Sequence, residues 1–421
     1  MGKVVYLILF GLIITTMASR MQIQRSATDS VINYVEKYNQ ENVRNIANAA
    51  ANKALNALML DVHQTVGQAD ASLYGGDYTY YFERRTQDPT LSPTQIRITA
   101  MATYEDQKDT VIVLLTRPSF SRYAYFTNHE GNIWFATGDT LRGPTHTNTY
   151  FQMSGSPVFF GKVTSHQVYN ANSPYRESYW GPTDPVFLGG TEWGIPKIAM
   201  PDEIPQETID AAIAEGIYIN NRYVWIEFQS DGTARIAAKN TSSTPNPGEY
   251  VTYTLGSTNG VIYIHYSSTR PLVRVKGTLN GLVTVATRGS MEITDDLVCA
   301  VNPMINPSSD DMLGLVAAKD IVVTNNQVDQ DRIIQATVMT LNTAVNNAAN
   351  FYVQNYNLYR YGYLRLYGGL IQNARGAVGL VGTPYTRKGY LKDYRWDPRL
   401  ADMTPPHYPA LFALRRIAWW D

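Results

Sequence analysis

A single cysteine, Cys299, stands in 421 residues, which excludes an intrachain disulfide and a multi-thiolate metal site. It sits within a β-run, as a small apolar core residue would, and so little cysteine leaves the redox compartment open. Charge is also scarce: 17% of residues are Asp, Glu, Lys or Arg, and the net charge is −1. That balance excludes a chain-wide nucleic-acid or polybasic membrane footprint and leaves room only for local patches. The six histidines include no pair at zinc-motif spacing, and the GxSxG, HExxH and P-loop signatures are absent. Proline is missing from Lys3 to Val66, where Gly11 is the only glycine. Nothing there would break a continuous helix.

What fills that stretch is an apolar run from Val4 to Ala18, between Lys3 and Arg20. As a helix it covers roughly 22 Å, short of a hydrocarbon core of about 30 Å. Three readings fit it. One is a secretory signal with Thr16-Met17-Ala18 as a small-residue cleavage site. Another is a slightly short membrane anchor, lengthened by snorkelling of Lys3 and Arg20. The third is a buried soluble helix. Beyond Arg20, Ala27, Val31, Val35 and Tyr38, then Ile46, Ala50, Ala54 and Leu58, keep helical spacing on either side of a polar stretch at residues 40–42. The pattern predicts one helix over 1–66, a retained apolar anchor at 4–18 followed by an amphipathic half at 19–66. The rival is a cleaved signal followed by an ordinary amphipathic helix.

Residues 77–84, 94–104 and 110–116 read as strands of a small sheet, the last two joined as a hairpin by EDQKD. After Arg117-Pro118 short β-runs recur, such as IWFAT at 133–137, VIYIHY at 261–266 and LGLVAAKDIVVTN at 313–325. The linkers are very short, and small or polar residues sit between inward apolar ones, as in Val283-Thr284-Val285. Positions 261 and 282 are 21 apart, and 273 and 291 are 18 apart. Either step suits one coil of a three-sided parallel β-solenoid; a β-sandwich is the alternative. Residues 181–250 hold loop-like GPTDP, PDEIP and SSTPNPGE around a helical QETIDAAIAEG at 206–216 and a hairpin. They read as an insertion.

Several strings together resemble a family. They are DTLRGPTHTNTYFQMSGSPVFFGKVTS at 139–165, LNGLVTVATRGSMEITDDLV with SSDDMLGLVAAKDIVV, and GGLIQNARGAVG followed by GYLKDYRWDPRL and PPHYP. In that order they resemble minor-pilin-like bacterial proteins that carry a large β-solenoid, related to the oversized competence minor pilin of Thermus-type bacteria. The terminal apolar helix running into an amphipathic half is similar to the stem of type IV pilins and pseudopilins. It departs from them at Met1-Gly2-Lys3-Val4-Val5-Tyr6-Leu7, which lacks the Phe and the following Glu of a prepilin site; no acidic residue precedes Asp29. The resemblance implies a mainly β chain with a long N-terminal α-helix: a pilin-like helix and small antiparallel sheet, then a right-handed-type parallel β-solenoid with an inserted subdomain. The boundaries expected are a helix at 1–66, a sheet head at 67–120, a solenoid at 121–386 and a C-terminal strap at 387–421.

The same resemblance implies a non-enzymatic filament component, anchored in the inner membrane before assembly and exported to the cell surface or pilus. Its partners would be other pilins through the helix (Val4, Tyr6, Leu7, Leu9, Phe10, Leu12, Ile13), with extracellular DNA or surface glycans as ligands. The candidate ligand surface is the basic, aromatic C-terminal region: Arg360, Arg365, Arg375, Arg387, Lys388, Tyr390, Lys392, Arg395 and Trp396. The competing reading has these aromatics capping the solenoid with the Arg stems along them. The terminal RRIAWWD reads as a second exposed aromatic patch. No catalytic residue, cofactor or metal site is assigned. Asp295-Asp296 and Asp310-Asp311 read as solvated corners rather than calcium ligands, and His146 as a turn residue. The rival class is an exported polysaccharide-active solenoid enzyme or a surface carbohydrate-binding protein.

Overall fold

The computed structural model describes residues 2–62, 64–92, 94–179, 181–266, 272–341, 349–380 and 388–421. The chain divides into two units, residues 1–117 with 414–421, and residues 118–413.

In the first unit one helix, α1, spans Gly2–Leu60. Only its second half is covered: Val43, Ile46, Ala47, Ala50, Ala51, Ala54 and Leu58 are buried. The alanines let the helix lie close on a sheet. That sheet contains β1 (Gln68–Leu73), β2 (Gly76–Glu83), β3 (Gln95–Tyr104) and β4 (Gln107–Thr116), antiparallel in sequence order. Tyr78, Tyr80 and Phe82 alternate inward from β2 and Val111, Val113 and Leu115 from β4, meeting the helix in one core. A fifth strand, Arg415–Trp420, pairs antiparallel with β4. Trp419 packs against this core and its indole donates to Asn48 Oδ1 at 3.1 Å, while Asp421 pairs with Arg44 at 2.9 Å. The terminal RRIAWWD is therefore a strand of the head, and the strap expected over 387–421 ends before it.

The second unit is built of parallel strands that stack coil on coil. Val273 pairs with Met291, 18 residues on, and Val261 pairs with Thr284 rather than with Leu282. These parallel registers exclude two face-packed antiparallel layers. Along the chain three strand positions alternate. Tyr125–His129, Phe135–Ala136 and Thr140–Arg142 begin the series, and Thr145–Thr147, Gln152–Ser154 and Val158–Phe159 stack on them in the same order. Val163–Ser165, Arg176–Glu177, Val186–Phe187 and Thr191–Trp193 extend the stack.

The chain then leaves that end. Residues 194–216, including the helix α2 (Gln206–Ala214), cross to a new start. From Ile217–Asn220 the coils wind again, through Val261–His265, Leu282–Thr287, Met312–Ala317 and Arg332–Thr340 to Arg360–Arg375. This last strand pairs with Tyr125–His129, the first strand of the first arm. Lys388–Arg395 likewise pairs with Thr140–Arg142. The solenoid is thus two arms, 125–193 and 217–395, joined at an internal seam. Strands at 186–193 and 217–228 belong to the stack, so the insertion expected over 181–250 shrinks to the 194–216 crossover and the added antiparallel strands Thr233–Lys239 and Val251–Thr254.

One face explains the unbroken apolar runs. Tyr263, Ala286, Val316, Met339, Ile371 and Phe126 form a single outward row by register. They are buried under Met200, Ile204, Ala211 and Ala212 of the crossover and Tyr408 and Leu411 of the C-terminal strap. A sheet covered on both sides needs apolar residues at successive positions rather than alternate ones, hence VIYI and MLGLVA. At one corner the coils approach so closely that only glycine fits. A Cβ on Gly161 would lie 2.1 Å from the Gly143 carbonyl oxygen, and one on Gly189 2.3 Å from the Gly161 carbonyl carbon. Gly143 itself has φ +142, a conformation open to residues without a Cβ.

Candidate functional surfaces

Among the described residues, none in the first half of α1 is buried. Val4, Tyr6, Leu7, Leu9, Phe10, Leu12 and Ile13 are all exposed, Tyr6 at 77% and Leu7 at 73%. Apolar residues surround the helix over this stretch, the pattern of a segment meant for lipid or for other helices. It is long and apolar enough to cross a membrane. Beyond it, Val31, Tyr34, Val35 and Tyr38 form a further exposed stripe at helical spacing.

The predicted basic surface divides into two groups. Arg360, Arg365, Lys388 and Arg395 lie outside, but three of them are paired: Arg360 with Asp329 at 3.2 Å, Arg365 with Asp331 at 2.8 Å and Asp393 at 3.1 Å, Arg395 with Asp393 at 2.9 Å. Trp396 is half-buried, its indole donating to the Ser121 carbonyl at 3.1 Å. Arg387 lies outside the described residues. Arg375 and Tyr390 are buried, and Lys392 is mostly so, its side chain 13% exposed. Arg375 pairs with Glu130 at 2.8 Å, with side-chain exposures of 3% and 2%. Its guanidinium also donates to the Ile133 and Trp134 carbonyls and lies 3.7 Å from the centre of the Phe135 ring. Lys392 pairs with Asp139 at 2.6 Å, and burial pulls its pKa below the ordinary lysine value. Tyr390 packs against Tyr361 and donates to Asn326.

These interior groups stitch the seam. Asn373 accepts from Asn128 at 3.0 Å and Asn148 donates to the next oxygen, Asn128 Oδ1, at 3.0 Å, so an asparagine ladder crosses the join between the arms. Arg375–Glu130 and Lys392–Asp139 cross it as well. A buried ion pair holds its two strands to one register, because any slip leaves both charges unpaired in the interior.

His146 extends the outward row beyond Phe126, fully buried beneath the crossover. Nδ1 meets Thr164 Oγ1 at 2.8 Å and Nε2 meets Asn148 Oδ1 at 3.0 Å. Asn148 also holds the crossover through the carbonyl and amide of Ile198. Burial, the largest influence, drives the His146 pKa down from 6.5 to about 4. Its neutral form is the native one, so its share of stability is complete above about pH 6.5 and falls away as pH drops towards 4. Urea unfolding at pH 7 and pH 4.5 should show a loss on acidification that is smaller by about 2 kcal/mol in a His146→Gln variant. Equal losses in both proteins would remove His146 from the account.

The remaining sequence candidates are structural. Asp295 and Asp296 engage Arg332 at 2.6 and 3.5 Å. Asp311 accepts from the backbone amides of Gly281 and Val301. Burial pushes the Cys299 thiol up to about 12, which leaves it protonated and unreactive.

A family model described as a domain of unknown function, DUF4900, matches residues 90–167, from the head sheet into the first arm. No curated protein matches the chain. Among solved structures the chain is similar to the competence-associated pilin ComZ from Thermus thermophilus, with 11% identity and a TM-score of 0.35 over 91% of this chain and 97% of that one.

Proposed function

We propose that this chain is a non-enzymatic, pilin-like minor component or tip of a type IV pilus or a related secretion filament. Residues 4–18 would hold it in the inner membrane before assembly and later pack among the stems of other pilins, with the solenoid displayed for adhesion or DNA capture. The supporting observation is α1: a helix apolar on every side at its start, then striped, then packed on an antiparallel sheet only in its second half. A soluble domain has no use for such a stem. Between the two ligands, the aspartates beside Arg360, Arg365 and Arg395 favour adhesion, because compensated charges give little counterion release on DNA. N-terminal sequencing of protein sheared from the cell surface tests the stem. The apolar segment is expected to be present; a mature chain starting near Ser19 would overturn the filament reading in favour of a secreted protein.

A further inference from the structure

The second unit carries a groove that none of the seam or stem residues line. It has a volume of about 400 Å³ and is lined from the strands at Tyr223–Phe228, Leu272–Leu279 and Ser290–Cys299, and from Thr324, Asn325 and Gln354 just past the strands Ile321–Val323 and Asn350–Val353. The added strands Thr233–Lys239 and Val251–Thr254 build out from its edge, and the segment joining them supplies Ser242, Thr244 and Tyr250 as one wall.

Stacking sets the chemistry of the floor. Thr324 N donates to the Ile293 carbonyl and Gln354 N to the Val323 carbonyl, so Thr294, Thr324 and Gln354 occupy the same position on successive coils. Hydroxyls and an amide therefore recur along the solenoid axis at roughly 4.8 Å, the spacing of neighbouring strands. The lining carries two cations and two carboxylates, Arg274 with Glu292 at 2.8 Å and Lys276 with Glu227 at 3.1 Å; Arg235, behind the lining, also reaches Glu227 at 3.2 Å. Tyr250 donates to Glu227 at 3.2 Å. Arg274 lies over the Trp225 ring at 5.0 Å and uses Nε on Glu292, while its buried Nη1 has no hydrogen-bond partner among the described residues.

Each property narrows the ligand. An open groove along a repeating axis suits a chain rather than a compact cofactor. Alternating donors and acceptors suit a polyhydroxylated chain, whose hydroxyls do both. The two carboxylates and two cations of the lining cancel, so the lining itself carries no excess positive charge to draw a polyanion. Few apolar side chains reach the lining, so it offers no anchor pocket for a hydrophobic peptide. We infer that this groove binds a neutral oligosaccharide. The inference deepens the adhesion reading by naming its ligand, yet the groove lies wholly in the second unit, so its binding is measurable whether or not the stem is retained.

The test uses the full chain in detergent, titrated calorimetrically with cellohexaose and chitohexaose as neutral probes and with hexagalacturonate and a single-stranded oligonucleotide as anionic ones. At least one neutral hexamer is expected to bind with a dissociation constant of about 1 mM or tighter. Gln354→Ala, at an exposed floor position, should weaken that binding about tenfold at an unchanged unfolding midpoint. Thr294→Arg, which fills the groove, should abolish it. Binding of neither neutral hexamer, preference for the anionic probes, or wild-type affinity in Gln354→Ala would each overturn the inference. The alanine variant keeps the test decisive if the arginine variant fails to fold.

Discussion

Replacing Glu130 with alanine is expected to destabilise the solenoid by about 3–5 kcal/mol, the range seen when one member of a buried ion pair is removed. Glu130 is 2% exposed, and its carboxylate accepts from Arg375, Tyr125 and Thr127. With that carboxylate gone, the Arg375 guanidinium loses its paired countercharge and keeps the Ile133 and Trp134 carbonyls and the Phe135 and Tyr125 rings. Removing both charges is a different matter. Glu130→Leu with Arg375→Met replaces the pair by apolar side chains in an interior already rich in Tyr125, Phe135 and Phe151, and such exchanges are often neutral. Urea unfolding of the two proteins should separate them by several kcal/mol. Equal losses would mean that the pair is not coupled and that the seam draws its register from the asparagine ladder and the Lys392–Asp139 pair.

The second large effect concerns the stem. Arginine at both Leu9 and Leu12 should abolish retention in carbonate-washed membranes, because each charge near the centre of a spanning helix costs about 2.5–3.5 kcal/mol. The same double variant should unfold in urea as the unsubstituted protein does, since both side chains are exposed. That contrast separates a part in membrane retention from a part in folding. Undiminished membrane recovery would refute anchoring by residues 4–18.

The stem and the head were readable because their signals are local. Helical spacing through Leu58 and alternation in β2 through β4 require only neighbours in sequence. The coil step of 18 between Val273 and Met291 was visible for the same reason. What escaped was order at long range. Arg375 and Glu130 are 245 residues apart, and no property of NARG suggests that it faces NHEG. A faint mark existed: Asn373-Ala374-Arg375 and Asn128-His129-Glu130 share an asparagine two places before a charge of opposite sign. Only the register of Ile371 on Phe126 turns that into an ion pair. The basic C-terminal region misled by composition, because Arg375 and Lys392 look no different in sequence from the outward Arg365. The groove left no motif at all, since its floor is one residue from each of several coils.

The two-arm order has a consequence for how the chain matures. Strands at 125–129 and 140–142 are made early, but their partners within 370–374 and 393–395 are made last of all the solenoid strands. Until then the first arm presents unpaired backbone edges, which invite association with other chains, and closure must wait for contacts far apart along the polypeptide, the slow class of folding event. A ribosome or translocase that halts before residue 395 would therefore release an incomplete stack with an open flank, so the last turns of synthesis act as the latch on the first.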